Sequence, residues 1–232
     1  MVDGGFYKKR AQHLFGEKSP KDRADELYSY CCRHLRDKHR DEEETHQLYR
    51  LFYYDCPPSE KMVFDPISRK TINLKQSAVY IWTKEFFDEL IKHRKIALRM
   101  GELLEGSGSY ILRIDSMKKL LRKEITVDDL TIADFTLDFV QKGVDMRIGL
   151  DIASLAHKHL VDQIVLIAGD SDFIPAAKHA RREGIDFILD PMWQPVKQSL
   201  QLHIDGLRSP TDKPGTGKDP LRKAEDLSPY KI

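Results

Sequence analysis

The chain has 232 residues, with 38 Lys and Arg against 37 Asp and Glu, for a formal net charge of +1. That length, with 41% hydrophobic residues, is enough for one large α/β domain or a core domain carrying a sizeable insertion. The balanced charge excludes a global positive field, so any nucleic-acid binding needs a local patch.

No apolar run approaches the ~18 residues of a membrane helix, and the N-terminus has no apolar signal core. The three cysteines, Cys31, Cys32 and Cys56, include an adjacent pair with poor disulfide geometry, which points to a reducing cytoplasm.

Met1-Val2-Asp3-Gly4-Gly5-Phe6 reads as the end of a strand and the turn after it. A buried first strand supplies about five residues, so either this strand is short or the chain starts upstream. Residues 19–40 carry helix signals, with Ser19 before Pro20 as cap and first turn. Leu27, Tyr30, Cys31 and Leu35 fall on one stripe. The run 47–56 (QLYRLFYYDC) reads as a strand stopped by Pro57-Pro58.

Residues 83–104 read as an amphipathic helix, Gly106 and Gly108 as a loop, and 110–114 as a short strand. Acidic residues 128–134 lead into a helical-looking 135–140. A helix opens at Lys142-Gly143-Val144-Asp145 and runs to about His159, with Ile148, Ile152, Leu155 and Ala156 at helical spacing. QIVLIA, 163–168, reads as a buried strand. The turn Gly169-Asp170-Ser171-Asp172 leads into a helix from about Phe173, with Pro175 in its first turn and Gly184 as its left-handed cap. Strand 185–189 completes a strand–helix–strand unit, which requires a parallel sheet with a right-handed crossover. The polar, Pro/Gly-rich residues after 206 read as a flexible tail. The expected organisation is therefore an α/β core over 1–206, varied by an insertion over about 59–125.

In open α/β sheets, ligands bind beyond the carboxyl ends of the strands. Asp3 ends the first strand, Asp170 and Asp172 follow QIVLIA, and Asp145 starts the preceding helix. Two carboxylates about 5 Å apart at an effective dielectric of about 20 repel by roughly 3 kcal/mol, so such a cluster implies a compensating cation. All-oxygen donors favour Mg²⁺ or Mn²⁺ over zinc, and such ions polarise phosphates and activate water. Singly, each aspartate is equally a helix cap or turn former. Lys142 is a candidate phosphate contact, and Gly169 and Ser171 suit a tight turn against a ligand.

The stretch KGVDMRIGLDIASLAHKHLVDQIVLIAGDSDFIPAAKHARREGIDFIL resembles the NYN domain family, PIN-like nucleases that include LabA-type proteins. VDGGFYKKR and RLFYYDCPP are similar to the same family, so the resemblance covers about residues 1–190. It implies a three-layer α/β/α sandwich around a parallel sheet, a Mg²⁺-binding acidic pocket and ribonuclease activity. By position, Asp3, Asp145, Asp170 and Asp172 are the pocket carboxylates, and Asp151 is a further acidic position. Six residues of helix rotate Asp151 by about 240° from Asp145, which ranks it lower. Many relatives carry Asn where this chain has Phe6.

Other candidates are weaker. Cys31, Cys32, His34 and His39 fit no familiar zinc spacing. Arg94, Lys95, Arg99, Lys118, Lys119, Arg122 and Lys123 form an RNA-facing patch or a solvated helix face. Tyr53 or Tyr54 would stack a base or pack in the core, and Asp55 is a pocket carboxylate or a turn former. Trp82 and Trp193 are expected to pack. The expectation is a cytoplasmic metal-dependent ribonuclease, with RNA as partner and a homodimer or protein partner compatible. The alternatives are a silent RNA- or protein-binding module and a phosphatase for small phosphate esters.

Overall fold

The computed structural model describes residues 1–36, 46–104, 108–212 and 214. The described residues form two compact units. The first comprises residues 1–55, 85–101 and those from 143 onward, and the second comprises 56–84 and 102–142.

The first unit opens with a two-residue strand, β1 (Val2–Asp3). Helix α1 (Gly4–Phe15) begins at once, with no intervening turn, because Asp3 itself caps it by accepting the Phe6 N–H. Helix α2 (Pro20–Cys32) starts as its sequence dictates, with Ser19 capping the Asp22 N–H and Pro20 in its first turn. It stops at Cys32 and passes into a short 3₁₀ turn at Arg33–Leu35, earlier than the expected 40. Residues 37–45, which include His39, lie outside the described set. Strand β2 (Leu51–Asp55) is buried at every position, the signature of a parallel strand covered on both faces.

The second unit contains the hairpin of β3 (Met62–Asp65) and β4 (Lys70–Asn73). Helix α3 (Ala78–Leu90) starts in the second unit and ends in the first. The first unit continues with β5 (Ile96–Met100), and the second with β6 (Glu102–Leu104). The helix expected over 83–104 is thus corrected: it ends at Leu90, and the chain returns as an edge strand through Lys95, whose φ is +65°. Short β7 (Tyr110–Leu112) and α4 (Ile114–Leu121) follow. The expected helical segment 135–140 is instead the strands β8 (Phe135–Leu137) and β9 (Val140–Lys142). They pair antiparallel with β7 and β6 respectively. Cross-strand pairing, which a local reading of the sequence cannot see, overrides the local pattern here. Gly106 of the expected loop lies outside the described residues.

The remainder belongs to the first unit. Helix α5 (Val144–His157) follows a left-handed Gly143, with φ +77°, and buries Ile148, Ile152, Leu155 and Ala156 at helical spacing. Strand β10 (Gln163–Ile167), a 3₁₀ turn at Ser171–Phe173, α6 (Ile174–Arg182) and β11 (Asp186–Asp190) follow. Gly184, with φ +81°, ends the helical path. Short α7 (Gln198–Gln201) leads to β12 (Gly206–Leu207). Beyond it, Ser209 donates to Asp190 at 2.7 Å and the Trp193 indole N–H donates to Thr211 at 3.1 Å. The segment 207–212 is therefore tied to the sheet, while the later tail residues, apart from 214, lie outside the described set.

The central sheet has six strands in the order β12-β11-β10-β1-β2-β5, and every pair in it is parallel. Together with the helices, it has the α/β/α organisation of a PIN-like fold. Among the described residues, no helix is long and apolar enough to cross a membrane.

Candidate active site at the carboxyl edge of the sheet

Strand order locates the crevice. From central β1 the chain adds β2 and β5 on one side, then returns to add β10, β11 and β12 on the other. The direction of growth reverses between β1 and β10, and ligands of open α/β sheets bind at such a switch point, beyond the strands' carboxyl ends. Val2 pairs with Ile167, so Asp3 and the Ala168–Asp170 segment leave the sheet side by side. Neighbouring strands also finish in carboxylates: β2 in Asp55 and β11 in Asp190.

Asp3 is half-buried, and its Oδ1 accepts the Phe6 N–H at 3.1 Å. Burial pushes its carboxyl above the usual range. The Phe6 N–H partly offsets this, and the charges of Asp145 and Asp55 raise it further. Asp145, in the first turn of α5, takes no hydrogen bond among the described residues. Its carboxyl is also pushed up, first by desolvation and then by Asp170 and Asp172. Asp170 Oδ1 accepts the Asp172 N–H at 3.1 Å, so Asp3 and Asp170 do serve as caps. Capping does not account for Asp145. Three separate segments thus approach one another: Asp145 is near enough to raise the Asp3 carboxyl, and the Asp170–Asp172 turn is near enough to raise that of Asp145.

Among the described residues, no three His, Cys, Asp or Glu side chains are gathered into a ready metal-holding group. The carboxylates repel without closing into a cage. Their donor chemistry nevertheless fits Mg²⁺, which keeps much of its own water and binds through only one or two carboxylates. Asp3, Asp145, Asp170 and Asp172 are the residues that would hold it.

Asp151 stands in a different arrangement. It accepts the Tyr54 hydroxyl at 2.9 Å and pairs with the Arg99 Nε at 3.0 Å. Tyr54 is fully buried, so its ring packs in the core and presents no face to a base; the same holds for Tyr53. Lys142 is exposed in β9, opposite Glu102. Ser171 receives the Lys197 ammonium at 3.4 Å. Among the described residues the cysteine–histidine group gathers into no metal-holding cluster: burial pushes the Cys31 thiol far up, against thiolate formation, and His34 Nε2 lies 2.9 Å from buried Asp190. Of the basic candidates, Arg94, Lys95 and Arg99 belong to the first unit and Lys118, Lys119, Arg122 and Lys123 to the second. Lys95 donates to the Leu48 carbonyl, and Arg99 lies 5.1 Å from the Phe52 ring centroid.

Three features escaped the sequence reading. Lys8, on α1, places its ammonium 2.7 Å from the fully buried Asp55 carboxylate. The only available signal was a lysine one helical turn beyond Gly4, on the helix that Asp3 caps. Lys197 reaches the Asp170 turn from 26 residues downstream, with no local signature. The Phe6 ring packs on Gly169 so closely that a Cβ there would lie 2.5 Å from its Cε2 and 3.1 Å from the Gln194 Oε1. Gly169 is therefore required by close approach, with Phe6 as part of the cause.

The NYN domain family model matches residues 106–201. The match holds Asp145, Asp151, Asp170 and Asp172, and leaves Asp3 and Tyr54 outside it. No curated protein and no solved structure matches the chain.

Proposed function

Since the NYN domain family model matches residues 106–201 of this chain, we propose that it is a metal-dependent ribonuclease that hydrolyses RNA phosphodiester bonds at the β1/β10 switch point. The observation that carries this reading is the approach of carboxylates from separate segments: Asp145 is near enough to raise the Asp3 carboxyl, and Asp170 and Asp172 are near enough to raise that of Asp145. A fold tolerates such repulsion where a cation relieves it. Bound Mg²⁺ or Mn²⁺ supplies polarisation of the phosphate and a water of lowered pKa.

The chain's own groups do the rest. Asp3 and Asp170 are fixed by the backbone N–H groups they cap, so their orientation is set before substrate arrives. Asp145 takes no hydrogen bond among the described residues, which leaves its carboxylate to hold the cation or orient an attacking water. Lys197 beside Ser171 supplies a positive point charge for a phosphate. The test is cleavage of end-labelled single-stranded RNA with Mn²⁺ by the wild type and Asp170→Asn. The wild type cuts, EDTA stops it, and the variant loses cutting while keeping the melting temperature. Turnover of a generic phosphomonoester with none of RNA contradicts the reading.

One observation favours a second reading. Phe6 packs over Gly169, at the position where the resemblance to the family implies an Asn able to hold water or substrate. On that reading the crevice is an inherited scaffold that binds RNA or a protein without cutting, and RNA binding is equal with and without EDTA.

A further inference from the structure

Away from the carboxyl edge, the end of α6 and the start of β11 border an open cavity of about 640 Å³. Lys178, Arg181 and Arg182 line it, with Asp186 and Asp205. Both acids are already engaged. Asp205 pairs with the Arg181 Nε at 2.8 Å and accepts the Phe187 N–H at 2.9 Å. Asp186 accepts from the Gln163 side chain at 2.6 Å. Lys178 and Arg182 have no acidic partner among the described residues.

Arg181 is held on its far side by the Leu202 carbonyl at 3.4 Å. One guanidinium is thus pre-oriented and two further cations are uncommitted, a suitable set of donors for phosphate oxygens. His203 senses the same surroundings: its pKa is lowered, first by desolvation and then by Lys178 and Arg181.

The cavity also shares a helix face with the proposed crevice. Ser171, Lys178 and Arg182 recur at spacings of seven and four, one stripe of the 3₁₀ turn and α6. Phe173, Ala177 and Ala180 turn the opposite face into the core. Lys197 stands at the upper end of the stripe, on Ser171. The two sets lie 7–11 residues apart, about 10–17 Å along helical backbone, a span of several nucleotides.

We infer that the Lys178–Arg181–Arg182 cleft is a phosphate-binding subsite for single-stranded RNA, holding the backbone several nucleotides away from the bond that is cut. This inference rests on the ribonuclease reading for its substrate class and extends it by a track. Its ligand is the RNA backbone, and its contribution is independent of sequence.

The experiment measures binding of fluorescein-labelled single-stranded RNAs of four and fifteen nucleotides to the full chain in EDTA, across a salt series. Lys178→Ala/Arg182→Ala alters two exposed side chains and leaves the Arg181–Asp205 pair in place; Lys178→Glu is a second variant. For two lost phosphate contacts on a single strand, the slope of log K against log salt falls by about 1.4, and binding of the long RNA weakens by on the order of 25-fold at 0.1 M salt. The four-nucleotide RNA is unaffected. Unchanged long-RNA affinity and slope in both variants overturns the subsite. If Mn²⁺-dependent cleavage sensitive to Asp170→Asn persists alongside, the crevice reading survives that failure. Displacement of the RNA by polyglutamate as effectively as by unlabelled RNA also overturns the subsite, since it assigns the cleft to acidic peptides.

Discussion

The Lys8 ammonium lies 2.7 Å from the Asp55 carboxylate, at the end of the strand next to Asp3. Asp55 is fully buried there and also accepts the Tyr53 hydroxyl at 3.2 Å. Breaking such a pair from one side removes the cation that faces a buried charge, which costs about 3–5 kcal/mol, with the lower end apt for a partly exposed lysine and an acid that keeps the Tyr53 hydroxyl. Lys8→Met is therefore expected to lose about 3 kcal/mol in urea unfolding. Lys8→Met/Asp55→Asn recovers part of that loss, and equal stability of the single and double variants contradicts the pairing.

Asp145 gives a prediction in pH. Its folded pKa is raised by desolvation and by Asp170 and Asp172. The folded state therefore holds the proton more tightly than the unfolded state. The contribution of this group is most favourable below the ordinary carboxylate range and is lost as pH rises through the raised value. In metal-free buffer, Asp145→Asn raises the melting temperature at neutral pH, and the gain shrinks as pH falls below 4 or so. A melting temperature lowered by the substitution at neutral pH contradicts the repulsion.

Much of this arrangement was legible in the sequence. The Gly143-to-Asp190 segment carries its own punctuation: a left-handed Gly143, helical spacing in α5, an unbroken apolar β10 and Gly184 after α6. The edge strand β5 was not legible, because Ile96, Ala97 and Leu98 continue an apolar pattern that suits a helix or a buried strand equally. Its identity comes from pairing with β2. The same limit applies to β8 and β9, three residues each. At the site, the four aspartates were expected from their places at strand ends and a helix start and from the family resemblance. Lys8, Lys197 and the Phe6–Gly169 contact depend on tertiary proximity alone.

Close approach at Gly169 is testable directly. A methyl there meets the Phe6 ring and the Gln194 amide, and overpacking of this kind costs about 1–3 kcal/mol. Gly169→Ala is expected to lower stability by that amount. Phe6→Ala in the same chain relieves the clash, so the double variant exceeds the sum of the single effects in stability. Strict additivity in thermal melts contradicts the contact.

Asp151 separates structure from chemistry. It is committed to Tyr54 and Arg99, and removing it leaves a buried tyrosine hydroxyl without its acceptor, worth about 1–3 kcal/mol. Asp151→Ala is expected to lower stability by that order and to leave Mn²⁺-dependent cleavage per folded molecule within about threefold of wild type, less than the tenfold that 1.4 kcal/mol of barrier represents. A loss of cleavage as large as that of Asp170→Asn, with stability unchanged, places Asp151 in the reacting centre instead.

The most direct measurement is a Mn²⁺ titration of the RNA-free protein, followed by electron paramagnetic resonance of the free ion. The wild type takes up the ion saturably, and Asp145→Asn and Asp170→Asn each weaken uptake by tenfold or more, one decade being about 1.4 kcal/mol. Absence of saturable uptake by the wild type, or equal uptake by all three proteins, contradicts a cation site built from these separated aspartates.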